Sequence, residues 1–139
     1  MLKIHTLVIG GGVIGLSAAH YLLSHNHHSK DLYIIEKEPY LGAHSSSRNS
    51  EVIHAGFYYP NHSLKARMCI RGRHLLYPFL KSRKVPFKKC GKWVIAPDKS
   101  KYSILESLMR KGVENGVEGL RLLESKEVNR QELWLRAAG

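Results

Sequence analysis

Thr6, Leu7, Val8 and Ile9 are β-prone and apolar at consecutive positions. That run, without polar alternation, predicts a strand buried on both faces of a parallel sheet. The glycines Gly10, Gly11, Gly12 and Gly15 end it, and over residues 13–24 the apolar positions Val13, Leu16, Ala19 and Leu22 or Leu23 recur at helical spacing. A polar turn is expected at 26–30. Residues 32–35 form a second short β run, with Glu36 at its end. Strand, helix and strand together occupy about 30 residues, the length of a right-handed βαβ crossover.

The pattern then changes. Residues 39–50 contain Pro39, Gly42, Ser45, Ser46, Ser47 and Asn49, which reads as an irregular polar segment of the kind that carries function. Ser63 suits the N-cap of a helix reaching about residue 82, with Leu64, Met68, Leu75, Leu76, Phe79 and Leu80 on its apolar face. Pro78 is expected to bend that helix or end it early. Residues 92–96 resemble a strand, 99–114 a helix closed by Asn115-Gly116, and 120–123 another short strand. Residues 127–139 carry no closing feature, and no internal repeat is visible. A doubly wound nucleotide domain needs more parallel strands than the two found, so the sequence reads as the truncated beginning of a larger fold.

Composition narrows the classes. A chain of 139 residues holds one modest domain, and 43% hydrophobic with 24% charged residues predicts a packed core rather than disorder. Lys and Arg number 22 against 11 Asp and Glu, a formal charge of +11 that raises the question of a polyanionic partner. The basic residues are spread thinly, however, and the densest stretch, 81–92, is interrupted by Ser82, Val85, Pro86 and Cys90. This pattern describes a solvated face, so no nucleic acid partner is expected. Cys69 and Cys90 form no CxxC motif, which argues against a disulfide framework or structural zinc and suits a reducing compartment. Asn61-His62-Ser63 spells a glycosylation sequon, with nothing else pointing to secretion. His25, His27 and His28 lack carboxylate or cysteine companions and read as a surface cluster, not a metal site. The apolar stretch 7–23 mimics a signal peptide, but its glycines break any continuous helix.

Gly10, Gly12 and Gly15 spell GxGxxG between a predicted strand and a predicted helix. The first glycine permits a tight turn, the second lets the backbone approach a pyrophosphate, and the third lets helix and strand pack closely. Amides of the first helical turn, including those of Val13 and Ile14, then face the phosphates with the helix dipole behind them. Glu36, followed by Lys37, lies about 20 residues beyond the last glycine, where a carboxylate accepts hydrogen bonds from the adenosine ribose and repels a 2′-phosphate. This unit serves NAD and FAD alike.

The stretch Gly42-Ala-His-Ser-Ser-Ser-Arg-Asn-Ser-Glu-Val-Ile-His-Ala-Gly-Phe-Tyr-Tyr-Pro, continuing into Ser63-Leu-Lys-Ala-Arg-Met-Cys, resembles the FAD-dependent oxidoreductases of the D-amino-acid oxidase superfamily. Within it the sequence is most similar to L-2-hydroxyglutarate dehydrogenases and oxidases, which carry a comparable NSxVIHAGxYYxxxSLKAxxC run. Cys90-Gly91-Lys92 before an apolar stretch, and Glu114-Asn115-Gly116-Val117 before Leu120, add to a resemblance that extends over residues 6–139. Two departures stand out: Glu132 precedes Leu133 where the family usually has Glu-Pro, and Ser46-Ser47-Arg48 stands where Ser-Gly-His is common.

The resemblance implies an α/β fold: the N-terminal part of a Rossmann-like FAD-binding domain over 1–84, then the start of an α+β substrate domain over 85–139. The family's later FAD contacts and most of its substrate domain lie beyond residue 139. It implies FAD as cofactor, with residues 47–53, including Ser47, Arg48, Asn49, Ser50 and Val52, running along the flavin. It also implies a small-molecule 2-hydroxy acid as substrate, an electron acceptor that the sequence does not specify, and room for peripheral membrane contact. An intracellular setting, mitochondrial or cytoplasmic, fits, and residues 1–6 are too few for a transit peptide.

His54 is the catalytic candidate, because an imidazole titrating near neutrality can take the substrate hydroxyl proton while hydride passes from C2 to flavin N5. Against it stands a histidine that only holds the flavin, or a purely structural one. Tyr58, Tyr59, Lys65 and Arg67 offer hydroxyl and cationic donors to a substrate carboxylate, or else serve packing and solvation. An amine-oxidising flavoenzyme of the same superfamily and an inactive fragment without stable flavin are the competing functions.

Overall fold

β1 (Thr6–Ile9) and β2 (Leu32–Ile35) pair in parallel, Thr6 opposite Leu32 through Ile9 opposite Ile35, in the computed structural model, which describes residues 4–25 and 31–135. Between them in sequence, α1 (Val13–His25) packs against both strands and buries Ala19. This is the strand, helix, strand order that the apolar spacing anticipates. Burial departs from expectation, because β1 alternates between partly buried and exposed positions and Ile9 is 79% exposed. The reason is geometric: one helix can shield one face of a sheet. The expected turn at 26–30, with His27 and His28, lies outside the described residues. His25 stacks on Tyr21 with ring centroids 4.2 Å apart.

The contacts divide the chain into two compact units, Met1–Glu51 and Val52–Gly139. In the second unit the helix that follows residue 63 packs on the loop just ahead of it, with Gly56 against Ala66, Cys69 and Ile70. In the second unit α2 (Leu64–Ser82) starts at Ser63, whose hydroxyl accepts the Ala66 N–H at 3.2 Å. Pro78 does not end α2 early. So near the C-terminus its missing N–H removes one ladder bond from a helix that runs on to Ser82 and is closed by Arg83 N–H donating to the Phe79 carbonyl at 3.0 Å.

A 3-10 turn at Lys99–Lys101, capped by Asp98 accepting from Ser100 N–H at 2.9 Å, leads into α3 (Tyr102–Glu114), which Asn115 caps. The strands expected at 92–96 and 120–123 do not form. β propensity needs a neighbouring strand to pair with, and among the described residues the only strand pairing is that of β1 with β2. Trp93 instead donates its indole N–H to Glu132 at 3.1 Å. A short helix that the sequence did not announce, α4 (Ser125–Gln131), buries Val128 and carries Glu127, ion-paired with Arg121 at 2.9 Å. The core of the second unit is built from small side chains, Ala66, Ala96, Val117 and Val128. Among the described residues no helix is long and apolar enough to cross a membrane.

Candidate functional site

The turn after β1 is made by backbone chemistry. Gly10 has φ +104°, a region closed to most side chains, and its N–H donates to the Ile35 carbonyl at 2.8 Å, tying the turn to the end of β2. A Cβ at residue 15 would lie 2.0 Å from the Gly10 carbonyl oxygen, so only glycine lets α1 start this close to the strand. The Gly11 N–H donates to Glu36 Oε2 at 2.6 Å, and the Glu38 N–H donates to Oε1 of the same carboxylate at 3.1 Å. The bond from Gly11 and then that from Glu38 hold the Glu36 carboxyl below its ordinary range, against an opposing desolvation. Each oxygen of Glu36 still has a lone-pair direction to offer a hydroxyl.

The polar segment after β2 folds back onto this turn. Gly42 N–H donates to the Gly11 carbonyl at 3.0 Å, and a 3-10 turn at Ser45–Ser47 brings the Ser46 hydroxyl to accept the Val13 N–H at 2.8 Å. Sequence reasoning missed Ser46 and Gly11. The serine run was visible, but only geometry shows which serine meets the helix. Ser47 and Asn49, chosen from sequence, spend side-chain groups on their own loop: Ser47 Oγ donates to the His44 carbonyl at 3.1 Å, and Asn49 donates to the Ser46 carbonyl at 3.0 Å while accepting from Glu51 N–H at 2.8 Å. Arg48 and Ser50 are exposed, and Lys37 reaches Glu38 at 3.6 Å. Arg48 also lines an open groove of about 570 Å³ with Tyr40, Ala43, Ser45 and the Glu38–His44 pair, whose side chains meet at 2.8 Å.

These residues fit the adenosine diphosphate half of a dinucleotide. A Cβ at residue 12 would come within 3.0 Å of Ser46 Oγ, so the glycine keeps a cradle open between the helix terminus and the serine turn. The Val13 and Ile14 side chains, 60% and 84% exposed, leave the start of α1 uncovered. Backbone amides and one hydroxyl face the cradle, the donor set that suits phosphate oxygens.

The remaining candidates, Val52, His54, Tyr58, Tyr59 and Lys65, belong to the second unit. Val52 and His54 are exposed. Lys65 Nζ sits over the Tyr59 ring, 4.5 Å from its centroid, so these two are brought together. The loop that carries them is pinned by the end of α3. Asn115 Nδ2 donates to the Gly56 and Tyr59 carbonyls at 3.3 and 3.1 Å, and Asn61 bonds the Glu114 carboxylate. Gly112 leaves space for Leu120 first and then for Phe57, both of which a Cβ would crowd. The Asn61 amide of the sequon is thus engaged with Glu114.

A glycine turn, a helix terminus and a carboxylate ending the second parallel strand define a dinucleotide-binding βαβ protein. The chain belongs to the FAD dependent oxidoreductase family, whose profile matches residues 5–138. It is similar to the mitochondrial L-2-hydroxyglutarate dehydrogenase of Arabidopsis thaliana, 44% identical over 134 residues that cover 96% of this chain and 27% of that protein. The enzyme of the same name from Homo sapiens is 38% identical over 130 residues, 94% of this chain and 28% of the relative. That of Dictyostelium discoideum is 42% identical over 120 residues, 86% of this chain and 27% of the relative. The chain therefore spans little more than a quarter of the length of these curated relatives.

Proposed function

We propose that this chain is the FAD-binding portion of a flavin-dependent oxidoreductase that oxidises L-2-hydroxyglutarate or a closely related 2-hydroxy acid to the 2-oxo acid. The observation that carries the proposal is the Glu36 carboxylate bonded to the Gly11 amide, beside an uncovered helix start, in a chain whose relatives bear the name L-2-hydroxyglutarate dehydrogenase.

In this reading Glu36 accepts the adenosine ribose hydroxyls, and its negative charge disfavours a 2′-phosphate. The Gly12 and Ile14 amides and the Ser46 hydroxyl receive the pyrophosphate, with the Val13 amide spent on holding Ser46 in place, while Gly10 and Gly15 shape the turn. Ser47, Arg48, Asn49, Ser50 and Val52 line the path toward the ring, with Lys37 near the adenosine. Residues 1–84 then carry cofactor contacts and 85–139 open the substrate domain. When bound, FAD would supply the two-electron acceptor that no side chain provides. His54 takes the substrate hydroxyl proton, a role suited to an imidazole at neutral pH. Tyr58, Tyr59 and Lys65 hold a substrate carboxylate.

The test is anaerobic mixing of the complete, FAD-loaded protein with L-2-hydroxyglutarate. Loss of the yellow flavin absorbance, with no response to amino acids or N-methylated amines, is the expected result. Bleaching by an amine and not by any 2-hydroxy acid would refute the substrate class.

A further inference from the structure

Tyr58 and Tyr59 each carry an ammonium over the ring: Lys92 Nζ lies 4.8 Å from the Tyr58 centroid and Lys65 Nζ 4.5 Å from that of Tyr59. The lysines reach these neighbouring rings from distant parts of the chain, Lys65 from the first turn of α2 and Lys92 from the segment between α2 and α3. Among the described residues the ion-paired carboxylates are Glu38, Glu118 and Glu127, and none of them pairs with either lysine. A ring face positions an ammonium but does not neutralise it, and the N–H groups turned away from the ring stay available to an acceptor. The platform is fixed as well, because Asn115 holds the Gly56 and Tyr59 carbonyls and Phe57, with Leu120, packs against Gly112.

We propose that Lys65 and Lys92 form a two-cation site for a dicarboxylic acid, one ammonium for each carboxylate, with Lys92 selecting dicarboxylates over monocarboxylates. The inference rests on the 2-hydroxy acid reading and adds Lys92 as the residue that reads the second carboxylate. Two unneutralised cations on adjacent rings raise the local positive potential, which a dianion relieves at both points and a monoanion at one. Lys92 was not among the substrate residues suggested by sequence, because nothing in its spacing links it to Tyr58.

The experiment measures dissociation constants of the complete protein, with and without FAD, for 2-oxoglutarate and for the monocarboxylate 2-oxobutyrate, by titration calorimetry at low salt. Lys92→Met, which keeps most of the side-chain stem, is expected to weaken 2-oxoglutarate binding about fivefold and leave 2-oxobutyrate unchanged. Lys92→Arg is expected to restore the preference. Lys65→Met gives an independent arm, weakening both acids, since it removes the shared anchor. Equal binding of 2-oxoglutarate by wild type and Lys92→Met, or equal losses for both acids, overturns the two-cation site and leaves the 2-hydroxy acid reading standing. Failure of the wild type to bind either acid overturns both.

Discussion

The glycine turn and the His54–Tyr59 loop are both candidate contact surfaces, yet they are held in place in opposite ways. The turn is largely local: Gly10, Gly11, Gly15 and Glu36 lie within one βαβ unit, and its geometry is fixed by backbone donors and the absence of Cβ atoms. The loop is fixed from outside, by Asn115 and Glu114 at the end of a helix more than fifty residues further along. The first kind of site fails when a methyl group intrudes. The second fails when a distant donor is removed, and fails separately.

The largest effect follows from Gly15→Ala. Its Cβ would meet the Gly10 carbonyl at 2.0 Å, a backbone atom that cannot swing aside, so a destabilisation of about 3 kcal/mol and loss of retained FAD are expected, read by urea unfolding and flavin absorbance. Asn115→Ala should cost less, about 1 to 2 kcal/mol, since it strips donors from two carbonyls that water can partly reach. It should leave FAD affinity unchanged; a matching loss of FAD would show that the two regions are not separately held.

A pH titration sharpens the contrast. The Glu36 pKa is lowered in the folded chain, so its ionised form stabilises the turn above the ordinary carboxylate range, and that contribution is lost as pH falls through the depressed value. Glu36→Gln should flatten this acid limb of the unfolding profile, whereas Asn115→Ala should lower the whole profile without changing its shape. The smallest expected effect is that of Ser46→Ala, which returns the Val13 N–H to solvent and should weaken FAD binding by a factor of about three.

Legibility from sequence follows the same division. β1, α1, β2 and Glu36 could be read directly because consecutive apolar runs, helical spacing and GxGxxG are all short-range signals. Ser63 as N-cap and Asn115-Gly116 as helix end were legible for the same reason. What could not be read depends on partners. Residues 92–96 and 120–123 have strand-like composition but pair with no strand, and Ser46 is distinguished from Ser45 and Ser47 only by where the 3-10 turn aims it. The Glu114-Asn115-Gly116 stretch resembles the family for a reason that sequence spacing alone does not reveal. Its contact with the tyrosine loop supplies that reason.

The central claim is that Glu36 and the glycine turn grip the adenosine diphosphate half of FAD, and a fluorescence titration of FAD into the complete protein with ADP as competitor addresses it most directly. Saturable binding at one FAD per chain, displacement by ADP but not by its 2′-phosphorylated counterpart, and at least a tenfold weaker affinity in Glu36→Gln are expected. Binding that ADP cannot displace, or a Glu36→Gln protein that holds FAD as tightly as the wild type, would contradict the account.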